Sequence, residues 1–370
     1  MAYNPQVGDS LDDLDTPSMI VDLDAMEVNI ATMMGLLKPT GIDIRPHLKT
    51  TKSPALAAKL IAAGCKGGCV AKVSEAEVMM AGGIDDVFIT SEVVGPVKVK
   101  RLVALAAKNP KLRCVVDSAV GAQAIDQALK EAGVSHPLLV LLDLDVGHHR
   151  TGVQPSEAVA LCRELRGLQN LKLIGVHGYE GHLQHMHGDK EREADCRAAM
   201  GTLAGVAQSL RDDGHDISVV TTGGTGTAEF CSTSPGITEV QPGSFIFMDV
   251  DYRAAVGGAR FSNSLTLLST VISKPELRRV VIDSGLKSLT EDSGWAEPKA
   301  LPGVKYEAQG DEHGALIWEE GVEPGLAVGN RVEMIPSHID PTINLHDFYY
   351  AHRKGIIEEI WPVAARGKVQ

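Results

Sequence analysis

From about residue 42 to residue 247 the chain repeats one pattern: a short apolar run followed by a longer amphipathic stretch. Apolar runs recur near 42–48, 67–72, 86–91, 112–117, 138–145, 171–178, 217–222 and 238–247. Between them lie helix-patterned segments such as 53–63, 74–81, 96–107, 118–132, 155–165 and 191–210, several opened by Ser or Pro as helix starts commonly are. A run such as 138–142, made only of Leu and Val, leaves no face for water, so its strand must be covered on both sides. Eight strand–helix units of this kind predict an α/β architecture, a TIM-type (β/α)8 barrel over residues 21–250, with an open doubly wound sheet as the structural alternative.

Two flanking regions read differently. Residues 18–24 predict a first short strand, and 24–37 a helix whose Met26, Ile30, Met33, Met34 and Leu37 form a core stripe. After about Asp249, runs at 264–273, 278–283, 315–319, 331–335 and 355–363 are β-like and separated by Gly, Pro and charged turns, without intervening helices. They predict a C-terminal antiparallel β domain over 251–370, joined by residues 1–20.

Composition narrows the function classes. A formal charge of −13 argues against a nucleic-acid or anionic-membrane partner. No apolar run approaches a membrane span, and the N-terminus lacks the basic and apolar regions of a leader, so a cytoplasmic protein is expected. The six cysteines are scattered through helix- and strand-like segments, as reduced core thiols are, and Cys65 with Cys69 has no second pair at a zinc-finger spacing.

In such a barrel the chemistry sits at the carboxyl ends of the strands, and the unusual residues of this chain fall there. Lys49, in Arg45-Pro46-His47-Leu48-Lys49-Thr50, follows the first strand, and crowding by Arg45, Lys52 and His47 would favour its neutral, imine-forming amine. Arg150 follows the fifth strand and Tyr179 closes the sixth. After the seventh, Thr222, Gly223, Gly224, Thr225 and Gly226 offer backbone N–H and hydroxyl donors where barrels commonly hold phosphate, and Gly243 and Ser244 lie at the eighth. A reactive lysine and a phosphate cradle are the two fixed ends of pyridoxal 5'-phosphate; Tyr179 would contact its ring and Arg150 would donate to the pyridine nitrogen.

These motifs together resemble the fold-type III pyridoxal phosphate enzymes, in the branch containing D-threonine aldolases and D-serine dehydratases. The resemblance spans most of the chain. It includes Asp15-Thr16-Pro17, the Lys49 run, His177-Gly178-Tyr179-Glu180-Gly181-His182, the loop 221–227, Pro242-Gly243, Glu312-His313-Gly314 and Pro336-Ser337-His338-Ile339-Asp340-Pro341-Thr342. It implies a homodimer, Lys49 as the cofactor lysine, and a divalent metal beside the cofactor. Thr51 departs from the branch, which often carries His there.

His338 and Asp340, at i and i+2 on an extended segment, would face one side and bind that metal. Dehydratases of the branch typically pair His with a softer Cys; a carboxylate suits a harder ion, Mn²⁺ ahead of Mg²⁺, and resembles the aldolases. The expected reaction is retro-aldol cleavage of a D-β-hydroxy-α-amino acid, D-threonine giving glycine and acetaldehyde. His185, ahead of His182 or His187, would take the hydroxyl proton. A metal-assisted dehydratase acting on D-serine or D-threo-3-hydroxyaspartate is the alternative, and a non-catalytic cofactor carrier a further one.

Overall fold

The computed structural model describes residues 3–258 and 260–370, which divide into two compact units. Of the described residues, one comprises 33–49, 54–243 and 367–370; the other comprises 3–32, 50–53, 244–258 and 260–366.

In the first unit eight parallel strands run β2 (Asp43–Ile44), β3 (Gly68–Val70), β4 (Val87–Ile89), β5 (Arg113–Val116), β6 (Leu138–Leu144), β7 (Leu171–Gly178), β8 (Val219–Thr222) and β9 (Glu239–Val240), preceded in the chain by β1 of the other unit (Ser18–Asp22). Their order is β2-β9-β8-β7-β6-β5-β4-β3. The two ends meet where His47 bridges Cys69, with Leu48 N–H on the Cys69 carbonyl at 2.7 Å, closing the barrel. The connecting helices are α2 (Pro54–Ala62), α3 (Val73–Ala81), α4 (Pro96–Ala106), α5 (Ala119–Glu131), α6 (Ala158–Leu165), α7 (Asp189–Asp212) and α8 (Ala228–Ser232); α1 (Leu23–Leu37) precedes them. Each predicted strand and helix has its counterpart. The first and eighth barrel strands are much shorter than expected: Asp43–Ile44 against 42–48, and Glu239–Val240 against 238–247, where the chain turns at Pro242.

The barrel interior has layers. Cys69, Phe88, Val115 and Leu141 form a buried apolar layer, against which Ile174 and Val219 pack. Burying side chains of this size contributes about 1.5–3 kcal/mol each. Beside it, near the strand starts, Arg45 is 1% exposed and held by Glu239 (Nε–Oε2 2.8 Å) and Asp86 (2.7 Å). Breaking such a buried pair costs about 3–5 kcal/mol, because the partner's charge is stranded.

The second unit is a nine-stranded sheet. It contains β10 (Leu265–Glu276), β11 (Arg279–Ile282), β12 (Glu297–Pro298), β13 (Val304–Ala308), β14 (Gly314–Trp318), β15 (Arg331–Ile335), β16 (Phe348–Arg353) and β17 (Ile356–Pro362) with β1. The pairs are antiparallel except β1 with β16, which is parallel. The amino-terminal segment is bound in by Gly8 N–H on Ile357 O and Leu11 N–H on Gly355 O. Leu14, Ile20, Leu268 and Ile357 make its buried cluster.

Two short helices interrupt the region expected to be all β: α9 (Val250–Val256) and α10 (Ile339–Ile343). Both depend on Asp249, which is fully buried. One of its oxygens caps α9 by accepting Tyr252 N–H at 2.8 Å, and the other accepts the first N–H of α10, Ile339, at 3.0 Å. Pro341 adds no N–H to a first turn whose donors have no partner within the helix. Among the described residues no helix is long and apolar enough to cross a membrane.

Candidate active site

Lys49 lies in the turn that leaves the first barrel strand and is half-buried. Of the crowding expected at Lys49, His47 is in place, its Nδ1 accepting Lys49 N–H at 3.4 Å, but Arg45 is not. Arg45 is turned to the Glu239 and Asp86 carboxylates, and Lys52 donates to the Ala365 carbonyl at 3.4 Å within the second unit. His47 donates to or accepts from Thr90 Oγ1 at 3.0 Å, and burial, then the charges of Lys49, His177 and Arg150, hold its imidazole well below the ordinary range. It is therefore neutral, and those same charges mark the groups that converge around it.

A chain of acids stands behind this mouth. His177, 3% exposed, shares a 2.5 Å hydrogen bond with Asp143 Oδ1, while Thr151 donates to Asp143 Oδ2 at 3.0 Å. Burial opposes charge on Asp143, but His177 and the donors around it bring its carboxyl below the usual range. Glu92 takes the opposite state: burial and the neighbouring Asp143 push it up to about 8.

Arg150 is exposed, with its guanidinium carbon 5.3 Å from the centroid of the Tyr179 ring. His148 meets Tyr179 edge-on at 5.8 Å and stacks on His182 at 5.9 Å. Nearby, Asp145 is held well below the carboxylate range: burial opposes this, but N–H groups of His149 and Gly147 and the side chains of His149 and Gln154 outweigh it. The six residues His148, Arg150, Asp143, Asp145, Thr151 and Tyr179 line one small cleft.

The glycine loop after β8 is tied more tightly than its sequence suggests. Glu180, fully buried, accepts Thr222 Oγ1–H at 2.8 Å, Gly223 N–H at 3.3 Å, Thr227 Oγ1–H at 2.5 Å and the Gln184 amide at 3.2 Å. Gly224 N–H goes to Thr227 Oγ1 and Gly226 N–H to Gln184 Oε1. A Cβ at Gly224 would lie 2.5 Å from Gln184 Oε1, and one at Gly226 would lie 2.7 Å from the Gln184 carbonyl. Those glycines thus admit Gln184; the N–H donors read as a free cradle at 223, 224 and 226 are committed within the protein. Thr225 is buried at the turn, and the N–H of Gly243 has no acceptor among the described residues. Ser244, also buried, opens the 3₁₀ turn Ser244–Ile246 in the second unit. The Gly243 N–H at this turn fits a phosphate oxygen, and the lysine, ring contact and guanidinium fit the remainder of the cofactor.

In the second unit His338 keeps extended backbone, but Asp340 does not share that segment with it. His338 is the residue before α10, with φ −141° and ψ 120°, and Asp340 is in the first turn. The cause is the α10 start described above, anchored on Asp249, whose carboxyl burial pushes up to about 7. His338 Nδ1 is 2.6 Å from Asp292 Oδ2, which leaves Nε2 as the nitrogen that can bind a cation. Burial opposes the charged Asp292, but the hydrogen bond and charge of His338, with Thr290, bring its carboxyl below the usual range. One imidazole nitrogen and one carboxylate suit a divalent ion of intermediate to hard character.

His185 is half-buried just beyond the turn Gly181–Leu183, His187 is exposed, and His182 stacks on His148, which meets the Tyr179 ring edge-on. Thr51 is buried, and its carbonyl accepts the Tyr349 hydroxyl at 2.6 Å within the second unit. Glu180, Gln184, Asp143, Glu92 and Asp292 were not anticipated. The Glu180/Gln184 spacing of four offered a signal, since both flank the histidine run on one turn.

Comparison with known proteins follows this division. Residues 21–251 match the alanine racemase N-terminal domain and residues 264–352 the putative serine dehydratase domain. D-threonine aldolase of Arthrobacter sp is 41% identical, over 98% of this chain and 95% of its own. 3-Hydroxy-D-aspartate aldolase of Paracoccus denitrificans is 35% identical over 96% and 93%. The crystal structure of D-threonine aldolase from Filomicrobium marinum superposes with a TM-score of 0.95 at 38% identity, covering all of both chains.

Proposed function

The chain belongs to the alanine racemase-like, fold-type III pyridoxal phosphate enzymes, and from that premise we propose which residues serve its reaction, the retro-aldol cleavage of D-β-hydroxy-α-amino acids. The substrate that fits best is D-threonine, released as glycine and acetaldehyde. The observation that carries the choice of reaction is the oxygen ligand at Asp340, beside an imidazole whose other nitrogen is fixed by Asp292.

Pyridoxal phosphate supplies the electron sink for the pair left when Cα–Cβ breaks. Lys49 holds it, Arg150 donates to its ring nitrogen, Tyr179 packs on the ring, and Thr222–Thr225 with Gly243 and Ser244 frame the phosphate. Glu180 keeps Thr222 and Gly223 in place for that task. His338 and Asp340 hold a divalent metal, Mn²⁺ ahead of Mg²⁺, which supplies polarisation of the substrate's β-hydroxyl. His185 takes the hydroxyl proton; His182, stacked on His148, is its competitor for that role. The family resemblance supports a homodimer.

The match of residues 264–352 to a serine dehydratase domain favours one second reading, loss of the β-hydroxyl as water. The two separate on products. Purified enzyme loaded with Mn²⁺ and given D-threonine should yield glycine and acetaldehyde, and a chelator should abolish turnover. Oxo acid and ammonia from D-threonine or D-serine would instead establish the dehydratase.

A further inference from the structure

Behind the glycine loop lies a second donor set, two cysteines that the reaction does not use beside the Glu180 that straps the loop. Cys196 on α7 and Cys231 on α8 are both fully buried, and their sulfurs are 3.5 Å apart. Cys231 Sγ is 3.7 Å from Glu180 Oε1. The three ligand atoms lie within 4.8 Å of one another.

The sulfur–sulfur and Cys231–Glu180 separations are close to two edges of a coordination tetrahedron. With metal–sulfur bonds of about 2.3 Å and metal–oxygen bonds of about 2.1 Å, tetrahedral geometry places two sulfurs about 3.8 Å apart and a sulfur about 3.6 Å from an oxygen. Two thiolates and one carboxylate form a soft to borderline set, unlike the imidazole and carboxylate of His338 and Asp340. We propose that Cys196, Cys231 and Glu180 form a second metal site, selective for a thiophilic divalent cation of the Zn²⁺ or Cd²⁺ class. Binding makes two metal–sulfur bonds and releases two thiol protons to solvent, with no oxidation.

Occupancy has a cost at the loop. Glu180 Oε1 already accepts the Thr227 hydroxyl and the Gln184 amide, and those two side chains in turn hold the N–H groups of Gly224 and Gly226. A cation on that oxygen competes with both straps, so the loop loosens and bound cofactor is lost. This consequence rests on the reading that the loop frames the phosphate; the binding itself does not.

Cadmium is the probe. Holoenzyme loaded with Mn²⁺ is titrated with Cd²⁺ while the ultraviolet cadmium–thiolate band and the visible absorbance of bound cofactor are followed. One equivalent should saturate the band, and Cys196→Ser and Cys231→Ser should each lose it, with binding at least about tenfold weaker. Cys196→Ala is carried in parallel because a buried hydroxyl has its own desolvation cost. No band, or a band surviving in all three variants, overturns the site. A band in the wild type with no loss of cofactor overturns the coupling to the loop while leaving the retro-aldol reading intact.

Discussion

The glycine loop of the barrel and the α10 corner of the second unit, proposed to hold a phosphate and a metal, fix their side chains by opposite means. At the loop one fully buried carboxylate, Glu180, gathers four donors, so the site and the fold share the same bonds. At α10, His338 leans on Asp292, whose side chain is 47% exposed, and water can replace much of what that contact gives. A buried hub couples function to stability; an exposed partner leaves the two separable. Variants at the two sites should therefore differ in what they damage.

The largest effect is expected at the second unit, and on activity alone. Asp340→Ala removes the proposed metal ligand, and turnover with D-threonine should then fall at least about 10²-fold, the several kcal/mol that metal polarisation supplies. Its unfolding midpoint should stay near that of the wild type. A large drop in stability would mean that Asp340 is a structural member of α10 and that the contrast between the sites fails there.

Glu180→Ala should do the reverse. It strands the Thr222 and Thr227 hydroxyls, the Gln184 amide and the Gly223 N–H, and each orphaned buried donor costs about 1–3 kcal/mol. A loss of at least about 3 kcal/mol in denaturant titration is expected, together with weaker cofactor retention. If stability moves by less than about 1 kcal/mol, the four donors find other acceptors and Glu180 is no hub.

Asp292→Ala sharpens the comparison from the exposed side. The partner that orients a metal-binding histidine typically contributes 10–100-fold in affinity, so Mn²⁺ binding, followed by the paramagnetic resonance of the free ion, should weaken by about that factor. Melting behaviour should hardly change. Unaltered Mn²⁺ affinity would show that His338 is oriented by something other than Asp292.

How much of this was legible in the sequence follows the same line. Apolar periodicity gave the barrel, since runs such as 138–142 admit few other placements, and strand-end position picked out Lys49, Arg150 and Tyr179. The short helices were missed because α9 and α10 start on a residue distant in the chain from one of them: Asp249 lies ninety residues from Ile339. For the same reason the extended reading of His338 and Asp340 failed, whereas their pairing on one short segment did not depend on it. The glycines at 223, 224 and 226 stand out in the sequence, but the partners that take their N–H groups do not. What crowds Gly224 and Gly226 is Gln184, about forty residues away, and a loop's composition does not reveal which neighbour approaches it.

The smallest predicted effect compares one carboxyl from each unit. Glu92 in the barrel is pushed up to about 8 and Asp249 in the second unit to about 7, each first by burial. Unfolded, they titrate near 4.3 and 3.9. Between the unfolded and folded values the native state keeps protons that the unfolded chain has lost, so stability falls as pH rises through that window. Below about pH 4 both states are protonated and neither group contributes a slope. Glu92→Gln is neutral at every pH and removes the barrel's share. Relative to the wild type, its unfolding midpoint should rise progressively from about pH 5 to about pH 9, the difference being largest above about 8, where Glu92 in the folded wild type has given up its proton. Parallel stability profiles would show that Glu92 is ionised in the native protein and that Asp143, despite the donors His177 and Thr151, carries the shared proton.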